Sequence, residues 1–285
     1  MFWALITSIS LHLAAGVAPS KPVAAADIAP KSSWQQVSPY DGQSYDAEAE
    51  RQLLEMANAD RVHAGLPPLR MDDGLVRAAR AHAAEMASQN QLSHQFSGEP
   101  SLTQRIATSS TLHLNRAGEN VAIAENAGEA HDALMASPPH RDNLLSPNFN
   151  VAGFGVFRSG NRLYVAQDFG SVLPSYSVQQ AQELVAASVE QLRAQTNLPR
   201  LERVTSNNAQ SSACAMAHAD SLTAAAPPAG AYMLRYTSML PETLPANISK
   251  VISQRGLHAY SAGTCYARTP KYLNGAYWVV LIFYQ

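Results

Sequence analysis

Ala117-Gly118-Glu119-Asn120-Val121-Ala122 is the stretch on which the reading of this chain turns. Upstream stands Leu92-Ser93-His94. Downstream stands Ser137-Pro138-Pro139-His140-Arg141-Asp142-Asn143-Leu144-Leu145. Two strand-like runs follow, Gly153-Phe154-Gly155-Val156 and Tyr164-Val165-Ala166-Gln167-Asp168-Phe169. They are joined through Ser159-Gly160-Asn161, whose composition suits a tight turn. Two histidines and one glutamate thus sit in separate loops that a fold can bring together. Neutral imidazoles suit zinc or another borderline divalent ion. Glu119 suits three roles: orienting a metal-bound water or hydrogen-bonding an imidazole, acid–base work beside a His as a general base, or, with Asn120, bracing its loop through backbone hydrogen bonds.

Working outward, Asp46 reads as a helix N-cap, with Glu48 and Glu50 facing the positive end of the helix dipole. Leu53, Leu54, Met56, Ala57 and Val62 recur at helical spacing. Gly65 supplies the left-handed stop, and Leu66-Pro67-Pro68-Leu69 forces an extended turn. Asp73 to Gln89 is a second helix, with Leu75, Ala78, Ala79, His82, Ala83 and Met86 on one stripe. A histidine on such a stripe reads as a hydrogen-bonded core residue. His63 ends the first helix, where a cationic side chain suits the dipole, and His113 and His131 show no ligand spacing.

The chain has 285 residues and a formal net charge of −2. That length predicts one large domain or two ordinary ones. The balanced charge gives no reason to expect a nucleic-acid partner. Residues 1–26 read as an export signal: Phe2 to Val17 is mostly apolar, and Val23-Ala24-Ala25-Ala26 offers small residues for cleavage. Residues 27–45 read as a linker, and no spanning segment follows in the mature chain. In an exported protein Cys214 and Cys265 can form a disulfide, the alternative being two buried thiols.

The ordered set of motifs resembles the CAP superfamily (cysteine-rich secretory, antigen 5 and pathogenesis-related-1 proteins) in its bacterial, cysteine-poor SCP-domain form. The resemblance runs over residues 46–172. Its pieces are Asn58, Arg61, the Leu66–Leu69 turn, His94, Arg105, the Gly118-Glu119-Asn120 tripeptide, His140 to Leu145 and the paired strands. It implies an α+β fold, an α-β-α three-layer sandwich, with a cleft lined by His94, Glu119 and His140. His94 and His140 are the implied ligands of a weakly held divalent metal such as zinc. Asn58, Arg61, Asn120, Arg141 and Asn143 are implied to be structural. The second acidic residue of the family's tetrad is replaced by Ser137; Asp132 and Asp142 are the nearest acids. Leu134 and Pro139 stand where tryptophan and glycine are common.

Residues 175–285 read as a second, smaller α+β module. Ser177 to Gln195 is an amphipathic helix ending in Arg193, then Asn197-Leu198-Pro199-Arg200-Leu201. This repeats the offsets of Arg61, Gly65-Leu66-Pro67-Pro68-Leu69. Ala213 to Ala219 echoes Ala78 to Ala83. Tyr277 to Tyr284 reads as a final buried strand, with Asn274-Gly275 as a hairpin turn before it. The module is expected to be a degenerate CAP-like repeat that lacks the cleft residues, with Cys214 on its second helix and Cys265 on a strand.

Three functions are open at this point. The first is a binding module for a lipid, an envelope component or a protein. The second is a metal-assisted, peptidase-like hydrolase using the same cleft. The third is a non-catalytic interaction protein acting through the second module. The thin ligand shell and the lack of a partnered nucleophile favour the first, since a fold resemblance alone licenses no activity.

Overall fold

The computed structural model describes residues 43–285, so the predicted export signal and most of the linker lie outside the described residues. The chain divides into two compact units at Val172/Leu173.

The first unit starts earlier than the sequence suggests. Gln43–Tyr45, read as linker, is an edge strand, β1, paired antiparallel with β4 (Val151–Ser159). α1 (Ala47–His63) is capped by Asp46, whose carboxylate accepts from the Ala49 N–H. Val62 departs from the expected apolar stripe, being 62% exposed, and Arg61 takes the buried position instead. The turn after Gly65 leads into β2 (Arg70–Met71), parallel to β4. α2 (Asp73–Gln89) and α3 (Leu102–Ser109) follow, then β3 (Leu114–Ala124), α4 (Ala127–Ala136) and α5 (Pro138–Leu144). β4 and β5 (Arg162–Val172) complete the sheet, ordered β1-β4-β5-β3 with β2 beside β4.

Strand alternation sends Leu163, Val165 and Phe169 to one face, against α1 and α4, and Tyr164 and Ala166 to the other, against α2. The result is the expected α-β-α sandwich. Gly155 is where α2 touches the sheet: a Cβ there would lie 2.1 Å from the Arg80 backbone nitrogen. Only glycine permits that approach.

The second unit has the same plan. α6 (Val178–Ala194), β6 (Glu202–Arg203), α7 (Asn207–His218), β7 (Ala231–Ser238), α8 (Ile248–Ile252), β8 (Ala259–Ala267) and β9 (Ala276–Tyr284) form a sheet ordered β6-β8-β9-β7. β6 lies parallel to β8 as β2 does to β4. α7 packs on β8 and β9 as α2 packs on β4 and β5. Gly263 repeats the close approach, with a Cβ reaching the Ala209 backbone at 2.1 Å. Asn197 holds the left-handed position of Gly65, at φ 56° against 74°.

Two details differ from the sequence reading. Asn90 and Asp220 are the matching left-handed residues that follow the two helices, so Met216 matches Met86 and His218 does not match His82. His218 is exposed near the end of its helix. Asn274-Gly275 closes a longer connection between β8 and β9 instead of forming a two-residue hairpin. The disulfide is present, joining Cys214 on α7 to Cys265 on β8 with Cα atoms 5.1 Å apart.

Candidate functional site

Arg61 fixes the end of α5, the helix that carries His140. It is fully buried, and its guanidinium donates to four carbonyls: Pro67 at 3.0 Å, Leu144 and Ser146 at 2.9 Å each, and Phe149 at 3.0 Å. Three of these lie at or beyond the C-terminal end of α5, where a cation suits the unpaired carbonyls. Arg193 does the same work in the second unit, donating to Pro199, Ile252, Gln254 and Leu257. Asn58 clamps the proline turn through both backbone groups of Leu69, at 2.7 and 3.1 Å.

The other face of α5 is tied to β3. Asn120 donates to the His140 carbonyl at 3.0 Å and to Gln167 Oε1 at 3.2 Å. Asn143 donates to Asn120 Oδ1 at 3.0 Å and to the Glu119 carbonyl at 3.3 Å. Glu119 and Asn120 therefore lie on a strand and His140 on a helix, not in loops; only His94 sits in one. The tripeptide was misread because β3 is short of bulky apolar residues before Val121. Arg141, grouped with the structural residues by resemblance, is exposed and makes no side-chain hydrogen bond among the described residues.

His94 Nδ1 meets Glu119 Oε1 at 2.9 Å, with the His94 side chain 34% exposed. Behind it lies a buried charge cluster that sequence reasoning missed. Arg105 Nη2 donates to Glu119 Oε2, and Arg105 Nη1 lies 3.1 Å from Glu99 Oε1. His82 Nδ1 lies 2.6 Å from Glu99 Oε1, and His82 Nε2 lies 2.8 Å from the Ser93 carbonyl. Both His82 partners carry acceptor oxygens, so the ring satisfies both only when both of its nitrogens carry hydrogen. Arg105 thus faces two carboxyl groups, Glu99 and Glu119, with the His82 ring between them.

Burial pushes the Glu119 carboxyl up, but the Arg105 charge, the His94 hydrogen bond and the His82 charge hold it below the usual range. His140 is depressed by burial and then by the charge of His94, so it stays neutral to lower pH and the two rings feel one another. Its ring makes no hydrogen bond among the described residues, and neither does Ser137 by its side chain at the α5 N-cap.

Asp132 and Asp142 are both exposed. Asp168 on β5 is instead paired with Glu119 across the ladder and is fully buried. Burial and then the Glu119 charge raise its carboxyl well above the usual range, against the Arg105 charge. The available signal was a lone acid inside the apolar run Tyr164 to Phe169.

The second unit lacks all of this. Gly155 pairs with Ala166 and Gly263 with Val280, so Gln167 and Asp168 correspond to Leu281 and Ile282. Their partners Asn120 and Glu119 correspond to Leu234 and Met233.

Among the described residues no three His, Cys, Asp or Glu side chains are grouped to hold a metal ion. The two imidazoles expected to hold an ion are those of His94 and His140. His94 fits that duty: its Nδ1 is anchored on a carboxylate, which fixes the ring and leaves Nε2 as the donor.

The model of the cysteine-rich secretory protein family, CAP, matches residues 54–169. The uncharacterized protein YkwD of Bacillus subtilis (strain 168) is 36% identical over 115 residues, 39% of this chain and 44% of that protein. The uncharacterized membrane protein YlbC of the same strain is 31% identical over 122 residues, 42% of this chain and 34% of that one. The chain therefore spans less than half the length of either relative. Among solved structures, an extracellular protein containing an SCP domain from Bacillus anthracis (strain Ames) is 26% identical. That match covers 43% of this chain and 40% of the other, with a TM-score of 0.39. Residues 54–169, which carry His94, Glu119 and His140, belong to the cysteine-rich secretory protein (CAP) family.

Proposed function

We propose that this chain is an exported binding protein whose CAP domain takes a ligand at the cleft formed by His94 and His140. The anchoring of His94 on buried Glu119 carries the reading, because it fixes one imidazole whose charge is felt by the half-buried ring of His140. Glu119 is 8% exposed with both oxygens engaged, which suits an orienting role and not that of a base. A divalent ion such as zinc would be held by the two imidazoles, with water or ligand atoms completing its shell, and would supply Lewis acidity to a bound oxygen.

Binding ranks above hydrolysis for a second reason. The Ser93 hydroxyl donates to the Gln95 carbonyl at 2.8 Å, which leaves it without a base as partner. A lipid, an envelope component or a protein remains the class of occupant. Residues 175–285 are read as a degenerate copy of the CAP scaffold; the shared strand order and the matching Arg61 and Arg193 support that reading. The disulfide supports passage through an oxidising compartment. No helix among the described residues is long and apolar enough to cross a membrane.

The test is a panel of peptides and esters offered, with zinc, to the wild type and to His94→Ala/His140→Ala. Turnover by the wild type that the double variant loses would overturn the binding reading in favour of a hydrolase. A solvent-extractable lipid that co-purifies with the wild type and not with the variant would name the occupant.

A further inference from the structure

We propose that Asp168 is the second acidic residue behind the cleft, a neutral acid whose O–H donates a hydrogen bond to Glu119 and so forms a buried acid–carboxylate pair behind His94. The inference does not depend on what His94 and His140 bind.

Three observations carry it. Glu119 and Asp168 are directly opposed on β3 and β5, a pairing that brings Cβ atoms to about 5 Å. Neither oxygen of Asp168 receives a hydrogen bond from any described residue, although the residue is fully buried. A bare carboxylate in that position is costly, whereas a neutral acid carries its own donor and has Glu119 beside it as acceptor.

The second observation is the count of charge. The groups facing the pair are Arg105 from α3, His82 from α2, and His94 and Glu99 from the segment between those helices. Arg105 is the one permanent cation facing Glu99 and Glu119, and a protonated His82 would only bring those two to balance. An ionised Asp168 would be a third anion with no cation of its own, and carboxylates that share a site do not both ionise readily.

The third comes from the second unit, where the Asp168 position is Ile282 and the Glu119 position is Met233. The acid is present where its carboxylate partner is present, and both are replaced together. Asp168 is thus a positioning residue. Its O–H fixes the plane of the Glu119 carboxylate, so that Oε1 meets His94 and Oε2 meets Arg105.

Infrared spectroscopy of the full chain at neutral pH, with and without carboxyl-13C aspartate, tests this. The expected result is a protonated-acid carbonyl band that moves on aspartate labelling and disappears in Asp168→Asn. No labelled acid band in the wild type, or one that persists in Asp168→Asn, overturns the proposal. Amide exchange of β5 gives a second reading. A folded-state pKa above the unfolded value stabilises only at low pH. Asp168→Asn should therefore gain on the wild type about tenfold in local folding constant per pH unit above about pH 4. A ratio that is flat, or that favours the wild type as pH rises, would mean that Asp168 is an ordinary ionised carboxylate.

Discussion

Replacing Glu119 by Gln keeps the shape of the side chain and removes one charge from a cluster in which charges are counted closely. Arg105 and His82 would then face Glu99 alone. Deleting one partner of a buried ion pair costs about 3–5 kcal/mol, because the remaining charge stays desolvated. Glu119 is 8% exposed and Arg105 1%, so little of that loss is relieved by water. The hydrogen bond to His94 Nδ1 is lost or inverted in the same step, which frees the ring. The sign with pH follows from the depressed carboxyl of Glu119. Its contribution is complete above the unfolded value near pH 4 and disappears as pH falls through the folded value. Local stability read by amide exchange of β3 and β5 peptides should thus fall by about 3 kcal/mol or more at pH 7. The gap should close in acid, and β8 and β9 peptides should be unchanged. A loss under about 1 kcal/mol at pH 7, or a gap that does not close in acid, would refute a charge-balanced cluster.

Two further outcomes follow from the scaffold. Removing the disulfide by Cys214→Ser/Cys265→Ser opens a loop with a sequence separation of 51; denaturation should show a loss of about 4 kcal/mol confined to the second unit. Gly155→Ala and Gly263→Ala each push a helix off its sheet, where a Cβ would lie 2.1 Å from backbone. Each should cost about 1–3 kcal/mol in its own unit, measured by exchange of the neighbouring strands; a cost in only one of them would break the correspondence between the two plans.

The scaffold was legible because its signals are local. Asp46 and Ser177 cap their helices, Gly65 and Asn197 take left-handed turns, and the proline turns keep their offset from Arg61 and Arg193. What Arg61 holds was not legible, since its carbonyl partners at Leu144, Ser146 and Phe149 lie far along the chain. The structure brings His94 and Glu119 into contact and makes His82 the hydrogen-bonded core residue that its stripe suggests, while the cluster they belong to was illegible. His82, Glu99, Arg105 and Asp168 are ordinary polar residues in sequence and become a cluster only when α2, α3 and two strands close on one another. The echo of His82 at His218 failed for a related reason: an alanine-rich helix has little texture to fix its register.

Zinc titration of the full chain by calorimetry, comparing the wild type with His94→Ala and His140→Ala, tests the cleft most directly. A single weak site is expected in the wild type, with an affinity at least tenfold lower in either variant and weaker binding as pH falls and protons compete for the imidazoles. An affinity unchanged in both variants, or one indifferent to pH, would contradict that expectation.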